Sequence, residues 1–295
     1  MAFLSTLFSQ AINGLQSGSI YALVALGYSM VYGIIMLLNF AHGDIIMVGA
    51  YVVWMATANF GLHPVVSILL AVAVSTLLGV TIEKVAYAPL RSSPRLSLLI
   101  TAIGISFLLE NGFQLIFGAG AKVVPEFLSG PSLRLGGATV SFSAMVTLAV
   151  TVAIMIGLTL LVQKTRLGKA MRAVSEDMGA AQLMGINLNT TISFTFALGS
   201  ALAAVASVLY LSSYAQASPT MGSMLGLKAF VAAVLGGIGS LPGAMLGGLV
   251  IGLAEALVSA VGLSVWKDGV VFAILIVVLL VRPSGLLGKP IKEKV

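Results

Sequence analysis

The chain alternates from end to end between long unbroken apolar runs and short polar connections. The apolar runs cover about residues 10–37, 44–60, 64–88, 96–117, 140–163, 191–213, 223–238, 242–262 and 267–282. A helix that spans a bilayer needs about 20 apolar residues, and most of these runs reach that length. Those at 44–60, 223–238 and 267–282 are short for a full crossing. A transmembrane barrel would alternate with period two, and these runs are continuous. The pattern predicts an all-α polytopic membrane protein, residues 1–295 forming one transmembrane domain with internally repeated, partly broken helices. The helix count is eight or nine, depending on whether residues 10–60 cross twice or once with a re-entrant piece.

Composition strengthens this reading. Hydrophobic residues make up 59% of the chain and charged residues 8%, against roughly 25% charged in soluble domains. A soluble globular architecture is excluded. The first long apolar segment follows no basic n-region and has no A-x-A-like cleavage site, so it reads as retained rather than removed. The chain contains no cysteine, which excludes disulfides and thiolate chemistry. His42 and His63 are too few and too far apart for a metal site, and no cofactor is expected.

Net charge is +6, yet the basic residues gather between apolar runs rather than along a nucleic-acid-binding stripe. One group is Lys84, Arg91 and Arg95; a second is Lys164, Arg166, Lys169 and Arg172; the tail carries Arg282, Lys289, Lys292 and Lys294. By the positive-inside rule all three are cytoplasmic, and the C-terminus with them. The loop at about 118–139 then faces outward, while the side of the N-terminus stays open. Within that loop, Ser132-Leu133-Arg134-Leu135, Gly136-Gly137 and Ala138-Thr139-Val140-Ser141 predict a small hairpin with a two-residue turn. It fits either an ordered connector or a docking surface for an external partner.

The cytoplasmic loop at about 164–190 carries Leu167, Met171, Val174, Met178 and Ala181 at spacings of four and three, one apolar stripe on a helix. Arg166, Lys169, Arg172, Glu176 and Asp177 lie off it. Gly185 supplies a stop and Asn189-Thr190 a cap for the following helix. Such a stripe must be covered, by the membrane surface, by the protein's own inner face, or by a groove in a cytosolic protein.

Glycines at Gly14-x-x-x-Gly18, Gly243-x-x-x-Gly247 and Gly248-x-x-x-Gly252 predict close helix approach. Two breaks within apolar stretches differ from these. Asn39-Phe40-Ala41-His42-Gly43-Asp44 interrupts the front half, and the run from Gly236 through Gly239, Ser240 and Pro242 to Gly243 interrupts the back half. Paired breaks are a signature of internally repeated transporters, with Asn39, His42, Asp44, Gly236, Gly239 and Ser240 as candidate path residues. Two ordinary surface loops would give the same pattern. Three ionisable residues stand inside apolar runs: Glu255, Glu110 and Lys228, the last a candidate counter-charge for either acid. Glu83 and Lys84 read as a pair at a helix end. No catalytic constellation or nucleotide-binding P-loop is present, so ATP-driven transport would need the nucleotide on another chain.

The run GSIYALVALG from Gly18 to Gly27, NFAHGD from Asn39 to Asp44, Ala180-Ala181 with Gly185, and LGGIGSLPG from Leu235 to Gly243 together resemble the permeases of branched-chain amino-acid ABC importers. The likeness is to their H-type (LivH-like) subunits and extends from about residue 8 to about residue 285. It implies a multi-pass protein of the bacterial cytoplasmic (inner) membrane, embedded in lipid. It also implies a second related permease subunit, two cytosolic ATPase subunits and an extracytoplasmic substrate-binding protein. Such a chain is not itself an enzyme. Ala180-Ala181-x-x-x-Gly185 resembles a reduced form of the importer loop that seats in the ATPase. Gly179 stands where that loop often has glutamate, leaving Glu176 or Asp177 to substitute. The competing class is an ion-gradient-driven secondary transporter of a small polar solute; a membrane-embedded enzyme finds no clustered acids or histidines. Within the ABC reading, urea or a short-chain amide is the alternative substrate.

Overall fold

The computed structural model describes residues 2–36, 38–91, 93–135 and 138–288. Lys289, Lys292, Lys294 and the turn residues Gly136 and Gly137 lie outside the described residues. Among the described residues nine apolar helices form the bundle: α1 (Ala2–Ile35), α2 (His42–Trp54), α3 (Pro64–Ile82), α4 (Arg95–Phe117), α5 (Phe142–Lys164), α8 (Leu188–Tyr214), α9 (Met221–Gly236), α10 (Leu241–Ala260) and α11 (Lys267–Val281). Two amphipathic helices, α6 (Arg166–Glu176) and α7 (Met178–Leu183), occupy the loop between α5 and α8. Seven of the nine, α11 taken together with the preceding turn Ser264–Trp266, are long and apolar enough to cross a membrane. The exceptions are α2, thirteen residues continued by the π-helical turn Met55–Asn59, and α9, sixteen residues.

The centre is made by α1, α2, α8 and α9, while α4, α5 and α11 expose most of their length. Nearly all of α2 is buried. Glycine sets the spacing, because lipid gives apolar helices little reason to associate beyond contact quality. The two glycine pairs of α10 serve two neighbours. Gly248 and Gly252 lie against Ala22, Gly18 and Gly14 of α1, and Gly243 and Gly247 lie against Gly236 and Ala232 of α9. A Cβ on Gly14 would sit 2.6 Å from the Ala256 Cβ and 2.9 Å from the Gly252 carbonyl oxygen.

Those pairs also run α1 antiparallel to α10 and fix which ends share a side. The early part of α1 lies beside the start of α5 and the end of α8: the Gln16 amide donates to Ser213 Oγ at 2.7 Å and to Ser143 Oγ at 3.4 Å. The hairpin is there as well, with strand Leu133–Leu135 antiparallel to strand Ala138–Val140 in the register Leu133–Val140, Arg134–Thr139, Leu135–Ala138. A second ribbon, Lys122–Val123 with Gln216–Ala217, ties the connection after α4 to the one after α8. At the opposite end lie α6, α7, the end of α3 and residues 285–288. These contacts put the early part of α1 on the hairpin side and the segment after α11 on the α6–α7 side.

Side-chain caps set six of the helix starts among the described residues. His63, Ser141, Thr165, Asp177, Asn187 and Ser240 each accept a backbone N–H from the first turn that follows. The cap of α8 is therefore Asn187, not the expected Asn189-Thr190; the side-chain oxygen of Asn189 instead accepts the Arg91 guanidinium at 2.5 Å. Gly185 does stop α7: its φ of +84° carries the chain through the left-handed region, and Ile186 N–H returns to the Ala181 carbonyl at 3.0 Å.

Candidate functional site

The two breaks differ in kind. The first lies inside the bundle. After Ile35 the chain leaves helix, Met36 takes a φ of +49°, and helix resumes at His42 with Asn39, Ala41, His42, Gly43 and Asp44 all buried. Left-handed backbone at a bulky residue stores about 1–3 kcal/mol, so the surroundings must impose it. They do so by close contact. Gly43 meets Gly222 and Gly226 of α9, and the His42 ring fits between Gly27 of α1 and Gly199 of α8 with Tyr28 edge-on at 4.9 Å. Tyr87, in the π-helical turn Glu83–Tyr87 that ends α3, donates its hydroxyl to Asn39 Oδ1 at 2.7 Å.

Asp44 sits in the first turn of α2, where free N–H groups and the helix dipole favour negative charge. Its carboxylate faces Ser106 and Glu110 of α4. Neither carboxylate oxygen makes a hydrogen bond of sound geometry, nor does Asn39 Nδ2.

The second break is a tight turn at the α6–α7 end. Gly237 and Gly239 have φ of +104° and +89°, and Ser240 N–H bonds the Gly237 carbonyl at 3.0 Å. The carbonyls of Leu235 and Gly236 accept Leu286 and Leu287 N–H at 2.8 and 2.9 Å, so the segment after α11 caps α9. Backbone freed from helix here is satisfied by the chain itself. Asn39, His42 and Asp44 come together, but not with Gly236, Gly239 and Ser240; Gly239 lies against Gly33. The two breaks are separated by the length of α9. Gly222 and Gly236 are about 21 Å apart along α9, and it is the Gly222 end that receives α2.

The intramembrane charges resolve into separate groups. Lys228 Nζ lies 2.6 Å from Glu255 Oε1 and 2.6 Å from Asp268 Oδ1, and Tyr21 donates to Glu255 Oε2 at 2.8 Å. Lys228 is thus the counter-charge of Glu255. Glu110 has a different partner, the Ser223 hydroxyl at 3.1 Å. The expected Glu83–Lys84 pair does not form: buried Glu83 pairs with Arg91 and accepts Ser193 Oγ at 2.6 Å, while Lys84 is exposed. Lys84 follows Glu83 by one residue, which turns it about 100° away on the helix surface. Among the described residues no cluster of three metal-ligating side chains occurs.

The stripe of the 164–190 loop is divided. Met171, Val174 and Ala181 are buried in the protein's own inner face, α6 packing on α1, α5 and α8. Leu167 and Met178 are partly exposed, Ala180 and Gly185 are exposed, and Leu183 and Met184 are 90% and 83% exposed.

Sequence reading missed Tyr28, Tyr87, Ser106, Ser223 and Asp268. Tyr87 has no spacing relation to Asn39, 48 positions earlier. Ser106 and Glu110 were detectable as polar residues four apart in an apolar run, and Asp268 as an acid in the first turn of α11.

The family model for the permease component of branched-chain amino-acid transport systems matches residues 10–279. The high-affinity branched-chain amino-acid permease protein BraD of Pseudomonas aeruginosa is 47% identical over 97% of both chains. The permease protein LivH of Escherichia coli is 45% identical over 97% of both. A probable LivH of Methanocaldococcus jannaschii is 30% identical over 92% of this chain and 89% of its own.

Proposed function

The chain belongs to the branched-chain amino-acid transport permease family, and from that premise we propose that it forms part of the translocation path of an ABC importer for branched-chain amino acids. The observation that carries this is similarity of 45–47% over 97% of the chain to permeases named for that transport. A second related permease completes the path, two ATPase subunits drive it, and a binding protein delivers substrate from outside. The basic residues flanking α6 support a cytosolic position for α6 and α7, within reach of the ATPases.

The projecting end of α7 supports the coupling role. Ala180, Leu183, Met184 and Gly185 are exposed on a short elbow, while Met171 and Val174 anchor α6 to the bundle. Two apolar side chains held out in water are suited to a groove in a soluble partner. Asp177 caps α7 through the Ala180 N–H at 3.0 Å, so it shapes the elbow two residues before Gly179.

The test is reconstitution of this chain with its second permease, ATPases and binding protein in liposomes. ATP-dependent uptake of leucine, isoleucine or valine, well above that of urea or acetamide, is expected. Uptake that needs no ATP, or that favours urea or the amide, overturns the proposal.

A further inference from the structure

We propose that the seam where Ser223 of α9 meets Glu110 of α4 is a wall of the translocation path, and that Glu110, with the buried Asp44 behind it, attracts the substrate's ammonium group there. This rests on the permease reading above. Helix α4 presents three faces. Ala102, Ile105, Leu109 and Phe113 pack on the core, with the Phe113 and Phe117 rings against Tyr51 of α2 at 5.2 and 5.1 Å. Phe107, Leu108, Leu115 and Ile116 are exposed apolar residues suited to lipid. Between these faces runs a third, half-buried stripe of Ser106, Glu110 and Gln114 at spacings of four.

A carboxylate in the middle of a spanning helix is too costly to face lipid, so this stripe meets water or protein. Across from it stands Ser223, on the exposed side of α9, bonded to Glu110. Leu227 and Phe230 continue the Ser223 face along α9 at helical spacing, and Phe230 packs near Phe40 at 6.1 Å. A polar edge beside an apolar wall suits a zwitterion with a branched aliphatic side chain.

The acids of this seam lack a cation. Lys228 is buried on another face of α9, held by Glu255 and Asp268, and among the described residues no basic side chain pairs with Glu110 or Asp44. Asp44 is 1% exposed, with the Ser106 hydroxyl and the Glu110 carboxylate beside it and, among the described residues, no basic side chain paired with it. Buried acids elsewhere in the chain, Glu83 and Glu255, each have a basic partner. What Asp44 and Glu110 lack, a transported ammonium group supplies in passing. The helix-start dipole at Asp44 weakens that attraction, so the cation is released rather than trapped.

The test uses the assembled importer, with Ser223→Cys and, as a second position, Ser106→Cys in a chain that has no native cysteine. Each is reacted with a cationic and an anionic methanethiosulfonate of similar size, and labelling of this chain is read by mass spectrometry. Labelling from water with a cationic preference of about ten-fold or more is expected, collapsing in Glu110→Gln. Leucine uptake should fall about ten-fold or more in Glu110→Gln and Asp44→Asn, with ATPase co-purification unchanged. No labelling, labelling indifferent to charge, or labelling of the separated chain but not of the assembled importer overturns the proposal. So does full uptake in both acid variants. A wild-type importer that moves no branched-chain amino acid, yet labels with cationic preference, would instead sink the substrate assignment and leave the acidic seam.

Discussion

Gly43 and Gly222 meet backbone to backbone: a Cβ on Gly222 would fall 2.5 Å from the Gly43 carbonyl oxygen and 3.0 Å from the Asp44 Cα. The first helix break depends on this contact, because it lets α2 start inside the bundle against α9. Side chains at such a crossing cannot yield, since the neighbour is main chain. Gly222→Val is expected to cost at least about 1–3 kcal/mol, the usual range for overpacking. The measurement is thermal unfolding of the purified chain in detergent, with Gly104→Val on α4, which has open space around it, as control. Equal midpoints for the two variants would show that the break does not depend on this contact.

Much of this architecture is legible in the sequence, and what escapes has a physical cause. Nine apolar runs become nine helices because each must satisfy its backbone internally within lipid. The hairpin is legible because two glycines between alternating triplets specify a two-residue turn. The partners of the breaks are not legible. Spacing within a segment says nothing of which distant helix supplies Gly222 to Gly43 or Tyr87 to Asn39. The two breaks look alike as strings, yet one is buried among four helices and the other is a turn sealed by residues 286–287. Only the packing of the α11 end distinguishes them. The 164–190 stripe has correct periodicity but two destinations, since period gives a face and not what covers it.

Lys228 holds Glu255 and Asp268 together across three helices, with Tyr21 of α1 on the far oxygen of Glu255. Removing the cation leaves two uncompensated carboxylates, one of them buried. Lys228→Met is expected to destabilise by about 3–5 kcal/mol, as for other broken buried pairs. Adding Glu255→Gln should restore a good part of that loss, because the buried charge then disappears. A double-mutant cycle on detergent unfolding checks it; strictly additive losses would mean the pair is not coupled.

The bundle also fixes which ends share a side. Ser132 and Asn13 lie at the hairpin end and are exposed, whereas exposed Gln182 lies at the α6–α7 end. Single cysteines at these positions are expected to label from outside at the first two only, when intact cells meet an impermeant thiol reagent. The native chain contributes no background. Labelling at Asn13→Cys, together with protection of Gln182→Cys, requires an odd number of crossings between them. Protection of Asn13→Cys alone would demand an even number and a different path for the first 60 residues.

The divided stripe makes the sharpest contrast. Met171 is 4% exposed within the inner face, while Leu183 is 90% exposed at the tip of the elbow. An aspartate at 171 would be desolvated inside the protein and cost several kcal/mol unless paired, so Met171→Asp should lower the yield of folded chain itself. An aspartate at 183 stays in water in the free chain and meets a cost only when a partner covers it. Leu183→Asp is therefore expected to leave expression and unfolding temperature unchanged, yet abolish co-purification of the ATPases and ATP-driven uptake. Arg172→Ala should be nearly silent in both assays, since its guanidinium is exposed and makes only a 3.3 Å bond to the Gln163 carbonyl. If Leu183→Asp retained full ATPase binding, coupling would have to run through another surface at this end of the bundle, and the elbow of α7 would be only a connection between α6 and α8.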